Sequence, residues 1–159
     1  MHRVDLIEML PAMQEMLNAG GEVTFTVEGR SMLPTMTGGR DSVTLVKPKG
    51  RLKKYDIPLY RRDNGKFVLH RVVKVTKSGY VMCGDNQYAK EYDITDAHII
   101  GLVTAFKRNG KQIRVKNFFY KLYSHLFCCP LAKFIKHVKT SLKCRYRSFM
   151  RKANKRKSH

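Results

Sequence analysis

Acidic residues are missing from the last third of this chain. Residues 107–159 hold 17 of the 32 Lys and Arg and none of the 12 Asp and Glu, while residues 1–106 carry 15 basic and 12 acidic side chains. The body is therefore nearly balanced and the tail strongly cationic, which implies an anionic partner: a lipid surface, a nucleic acid or an acidic protein. Paired-cysteine motifs are missing too. Cys83, Cys128, Cys129 and Cys144 show no CxxC spacing, and adjacent cysteines do not readily bridge each other, so free thiols in a reducing compartment are expected, with no metal and no cofactor. No stretch reaches the roughly 18 apolar residues that span a bilayer. The N-terminus carries Asp5, Glu8 and Glu15 and is interrupted by Pro11, which is not the layout of a secretory leader. These absences predict a cytoplasmic protein, soluble or held peripherally on the inner face of a membrane.

What is present suits one domain and an appendage, since 159 residues with 43% apolar side chains can build a single core. Val4 to Asn18 places Leu6, Met9, Met13, Met16 and Leu17 at helical spacing and stops at Asn18-Ala19-Gly20-Gly21. Alternating or apolar runs then follow at 22–28, 42–46, 56–60, 67–75, 80–83, 99–106 and 112–115, punctuated by Gly38-Gly39, Asp63-Asn64-Gly65 and Asn109-Gly110. Six to eight short strands predict a mainly β, barrel-like or sandwich body over 22–116, after an N-terminal helix in 1–21. From Asn117 the period becomes helical: Phe119, Leu122, Tyr123, Leu126, Phe127, Leu131, Phe134, Ile135 and Val138 form a stripe, with Lys121, Lys133, Lys136 and Lys139 elsewhere. The span 117–159 is thus expected to be a basic amphipathic helical tail, with Arg151 to His159 disordered unless bound.

Three side chains carry the chemistry. Glu28-Gly29-Arg30-Ser31-Met32-Leu33-Pro34-Thr35 sets a hydroxyl between a glycine and an apolar-proline clamp, with Met32 and Leu33 free to pin the segment to a core. A serine hydroxyl is a poor nucleophile unless a base takes its proton and a third group fixes that base's tautomer. His70, inside the 67–75 strand, and Asp85, in the Gly84-Asp85-Asn86 turn, supply both types. A hairpin joining the two runs would bring Asp85 alongside His70. Histidine suits the role because its ordinary pKa of about 6.5 leaves it largely neutral near pH 7, whereas a lysine would need deep burial.

The ordered set Gly29-Arg30-Ser31-Met32-Leu33-Pro34-Thr35, Gly39-Arg40-Asp41-Ser42-Val43, His70-Arg71-Val72, Gly84-Asp85-Asn86 and Ile100-Gly101 resembles the S24/S26 peptidase superfamily of signal peptidases and LexA-like autoproteases, over residues 22 to 115. It is most similar to the ER-type branch, in which histidine is the base. The resemblance implies a LexA/signal-peptidase-like β barrel. Ser31 resembles the nucleophile, with its backbone N–H at the oxyanion, and His70 resembles the general base. It implies an acid at Asp85, with Glu91 or Asp93 as alternatives because a second acid commonly follows the Gly-Asp-Asn box. Asp41 resembles the aspartate after the serine, where bracing a turn is as natural as catalysis. Lys74 and Lys77 look like solvated strand residues. Signal peptidases carry an N-terminal membrane anchor that is not seen here, and Met1 to Asn18 is too short for the DNA-binding module of LexA-like members.

The expected activity is that of a serine endopeptidase cutting an extended segment of a precursor or signal-like peptide, without cofactor, the tail reaching an anionic membrane through 117–159. The alternative is a non-catalytic basic module that grips nucleic acid or anionic membrane, with Tyr120, Tyr123 and Tyr146 available to stack on bases. No RNP, KH or zinc signature favours nucleic acid.

Overall fold

The computed structural model describes residues 6–115 together with Tyr120, Leu122 and Ser124. Helix α1 (Leu6–Asn18) opens the chain and runs through Pro11 without breaking. It ends because Gly20 adopts a φ of 83° that most side chains resist, which lets Gly21 N–H reach the Met16 carbonyl (2.9 Å) and Gly20 N–H the Leu17 carbonyl (3.1 Å).

Strands β1 (Val23–Thr26), β2 (Ser42–Val46), β3 (Pro58–Arg61), β4 (Phe67–Leu69), β5 (Arg71–Val75), β6 (Tyr80–Cys83), β7 (Glu91–Ile94), β8 (Ile99–Arg108) and β9 (Lys111–Arg114) follow, with a 3-10 turn at Asp96–His98. The protein is mainly β, its larger sheet curled into a half-barrel. That sheet runs β1-β2-β8-β3-β4, with β9 also on β8, and β5-β6-β7 form a second sheet. All pairs are antiparallel. Asn109 and Gly110 both take positive φ, the geometry an Asn-Gly hairpin turn requires between β8 and β9.

One core lies between α1 and the large sheet, where Met13 and Leu17 meet Val23, Val43, Leu45, Leu59 and Val103. Burying a leucine such as Leu17 contributes about 1.5–3 kcal/mol. At Gly101 a Cβ would come within 3.3 Å of both Leu17 and Leu45, so a glycine lets helix and sheet approach. A second cluster, Leu52, Tyr60, Val72, Tyr80, Met82 and Ile94, joins the two sheets.

Two differences from the sequence reading matter for the site. The apolar run 67–75 is two strands, and His70 is the residue at which the chain passes from the large sheet to the small one. The charged segment 91–94 is a strand, β7, that carries Glu91 onto β6. The chain divides into compact units at Met1–Ser124 and His125–His159, so Tyr120 and Ser124 belong with the β body. The helical and membrane-binding expectations for the rest of 117–159 lie outside the described residues. Among those described, no helix is long and apolar enough to cross a membrane.

Candidate active site

Between β1 and β2 the chain makes a loop that closes on itself. Val27 N–H bonds the Asp41 carbonyl (3.0 Å), Gly39 N–H the Val27 carbonyl (2.8 Å) and Gly38 N–H the Gly29 carbonyl (3.2 Å). Gly29 sits at φ 79°, and at Gly38 a side chain would collide with the Gly29 backbone. Inside the loop, Met36 N–H reaches the Met32 carbonyl (3.0 Å), and both methionine side chains are buried. Ser31 is thereby held half-buried on a bend whose Leu33-Pro34 peptide bond is cis.

The Gly84-Asp85-Asn86 turn anchors both ends of this bend. Asn86 N–H donates to the Ser31 carbonyl at 2.8 Å, and the Thr35 hydroxyl donates to Asp85 Oδ2 at 2.5 Å. Gly84 packs against both the serine bend and the candidate base: a Cβ there would stand 2.7 Å from the Ser31 carbonyl oxygen and 3.1 Å from His70 Nε2, so a larger residue would force one of them to shift. The turn arrives here because β5 and β6 pair with Arg71 opposite Cys83.

His70 is 2% exposed. Its Nδ1 lies 2.9 Å from Glu91 Oε1 and 3.2 Å from the Tyr60 hydroxyl. With Nδ1–H donating to Glu91, Nε2 is left as the acceptor, and it is Nε2 that faces Gly84 and the Ser31 bend. Glu91 in turn accepts from Arg62 Nε (2.7 Å) and from Arg62 Nη2 (2.6 Å), a bidentate grip, and the neighbouring Tyr60 hydroxyl also favours its charged form. Burial is the largest influence on His70 and pushes its pKa below 6.5; the Glu91 charge opposes this and Arg62 adds to it. For Glu91, burial acts upward, but the Arg62 and Tyr60 hydrogen bonds and the facing imidazole outweigh it, so its pKa falls below 4.5. Burial and the adjacent Glu91 push the Tyr60 phenol upward, so it stays a neutral donor.

Asp85, expected to orient His70, has a different commitment. Its two oxygens accept from Arg71 Nε (2.8 Å) and Nη2 (2.6 Å) as well as from Thr35, in an ion pair with neither side chain more than 3% exposed. The carboxylate at hydrogen-bonding distance from His70 Nδ1 is Glu91. Asp93 is exposed, at a positive φ. Asp41 is fully buried and accepts from Thr37 N–H (2.8 Å) and Arg40 Nε (2.7 Å), bracing the turn before β2; the Arg40 hydrogen bond holds its carboxyl below the ordinary range. Lys74 and Lys77 are exposed. Tyr60 had no sequence signal beyond its place in a strand, and Arg62, just after β3, had none.

Ser31 and His70 line one cleft of about 340 Å³, whose walls include Phe25, Val27, Met32, Leu59, Phe67 and Leu69. It lies along β1 and β4, the two ends of the large sheet. Among the described residues no group of three His, Cys, Asp or Glu side chains is placed to hold a metal ion. Tyr120, a candidate for stacking on bases, is 7% exposed and packs edge-on against Phe106. No family model matches the chain, and no curated protein matches it.

Proposed function

We propose that the chain is a serine endopeptidase whose half-barrel is of the LexA/signal-peptidase type, with Ser31 as nucleophile, His70 as general base and Glu91 as the group that orients it. The observation that carries this reading is the His70 imidazole, buried, fixed at Nδ1 by a carboxylate and turned by Nε2 toward a rigid serine bend. In the reaction, Ser31 Oγ adds to the scissile carbonyl as its proton passes to Nε2. The imidazolium, stabilised by Glu91, then gives that proton to the departing amine, and a water hydrolyses the acyl-serine by the same path. The Ser31 N–H is the proposed oxyanion donor. An extended peptide lying in the cleft would add to the edge of β1, its side chains alternating into the apolar wall. Small residues next to the cut follow from the family resemblance alone.

The test is cleavage of a peptide library by the full chain. Discrete cuts by the wild type that vanish with Ser31→Ala, at unchanged folding, support the reading; cuts that persist with Ser31→Ala refute it.

The pH dependence has a defined sign. Because the His70 pKa is lowered, kcat/KM of the wild type should rise through an inflection below 6.5 and be flat by neutral pH. Arg62→Met removes a cation that disfavours the imidazolium, so the inflection should move upward. An inflection that stays or moves down would separate Arg62 from the base. Stability follows the same residues: the folded His70 binds its proton less readily than the unfolded one, so its contribution is complete above 6.5 and fades as pH falls from there. Glu91, with its lowered pKa, loses its contribution below 4.5.

A further inference from the structure

Arg71 is a fully buried side chain next to the candidate base. Nε and Nη2 donate to Asp85, and Nη1 donates to the Tyr55 carbonyl (3.2 Å), the Tyr120 hydroxyl (2.9 Å) and Ser124 Oγ (3.3 Å). The guanidinium carbon also lies 5.6 Å from the centre of the Tyr120 ring. Ser124 spends its own proton on the Tyr120 carbonyl one helical turn back, at 2.8 Å, which leaves its lone pairs for Arg71. Both partners are buried, Tyr120 at 7% and Ser124 at 2% exposed. The contacts form one chain: Tyr120 and Ser124 fix Arg71, Arg71 fixes Asp85, and Asp85 holds Thr35, four residues after Ser31 in the serine loop. Asp85 is flanked by Gly84, which packs against the Ser31 carbonyl and His70 Nε2, and by Asn86, which holds the Ser31 carbonyl.

We infer that Tyr120 and Ser124, which follow the last strand and lie in the span read from sequence as tail, are positioning residues of the Ser31 site. They act through Arg71 and Asp85 and touch no substrate. A buried arginine needs its donors satisfied and its fork held flat against the carboxylate. Without the two hydroxyls, Nη1 loses its 2.9 Å bond to Tyr120 and its 3.3 Å bond to Ser124, and the guanidinium is held less firmly against Asp85. The serine loop then loses the strut at Thr35, and misplacement of a nucleophile by about 1 Å is enough to slow a reaction about 10²-fold. The effect falls mainly on kcat, because Phe25, Leu59, Phe67 and Leu69 of the cleft wall stand on strands outside the serine loop.

The inference rests on the proposed peptidase reading for its catalytic half, and hydrogen exchange tests its structural half independently. The full chain is compared with Tyr120→Phe, which keeps the ring, and with Tyr120→Phe/Ser124→Ala. In the double variant the amides of Met36 and Asn86 should exchange at least tenfold faster, while those of Val43 and Leu45 in β2 keep their rates. On a peptide that the wild type cleaves, kcat should fall at least tenfold with KM unchanged, the single variant lying between. Loop amides that keep their wild-type rates, or loop and β2 amides that accelerate together, would overturn the inference, as would a wild-type kcat in the double variant. Faster loop exchange with no cleavage by any form, wild type included, would leave the strut standing and remove the peptidase reading.

Discussion

Glu91→Gln is expected to lower kcat by about 10³–10⁴-fold near neutral pH, with KM little changed, because the amide offers His70 Nδ1 no charge and allows the tautomer that turns a protonated Nε2 toward Ser31. The melting temperature should move by only a few degrees. Glu91 is partly exposed, and its Arg62 partner has a side chain 35% exposed, so Arg62 remains solvated when the pair is broken. The assay is steady-state kinetics on a peptide that the wild type cleaves, with unfolding followed in parallel. If Glu91→Gln keeps full activity and Asp85→Asn loses it without unfolding, the orienting acid is Asp85.

Asp85→Asn should fail in the opposite way. The Arg71 side chain is 0% exposed, and removing its carboxylate leaves a buried cation without a counter-charge. Breaking such a pair costs about 3–5 kcal/mol, a fall of about 10–20 °C in melting temperature for a domain of this size. Replacing both partners together, Arg71→Met with Asp85→Leu, should recover much of that loss, since no charge is then stranded. A double variant as unstable as Asp85→Asn would mean that the pair stabilises mainly through its neutral hydrogen bonds to Tyr120, Ser124 and Thr35. The contrast between Glu91 and Asp85 separates the acid favoured by the Gly84-Asp85-Asn86 box from its alternative.

That ambiguity shows where reading the chain stops. Local signals were legible where one segment determines its own conformation: the Gly20 helix end, the Asn109-Gly110 hairpin, the alternation of Ser42–Val46 and the bend at Ser31. The helix expected over Val4 to Asn18 is present as α1, running through Pro11 and packed on the sheet by Met13 and Leu17. The division of 67–75 at His70 was hidden because both halves are apolar, and only the second sheet gives the break a purpose. β7 was missed because Glu91-Tyr92-Asp93-Ile94 alternates over four residues only, too short a run to stand out as a strand. The choice of acid was decided by which arginine each carboxylate meets, Arg71 for Asp85 and Arg62 for Glu91, and those meetings depend on strand register. Tyr120 was counted with the tail because helical spacing marks an apolar stripe without saying what it packs against. In the structure the answer is Arg71 and Phe106.

The central claim, that Ser31 attacks a carbonyl with His70 as its base, is tested most directly by a pre-steady-state burst. The wild type is mixed with a p-nitrophenyl ester of a short peptide and quenched in acid, and the protein is digested and mapped by mass spectrometry. The account predicts a burst of one nitrophenolate per chain, an acyl group on Ser31, and neither with Ser31→Ala. An acyl group on another residue, or a full burst from Ser31→Ala, would contradict it.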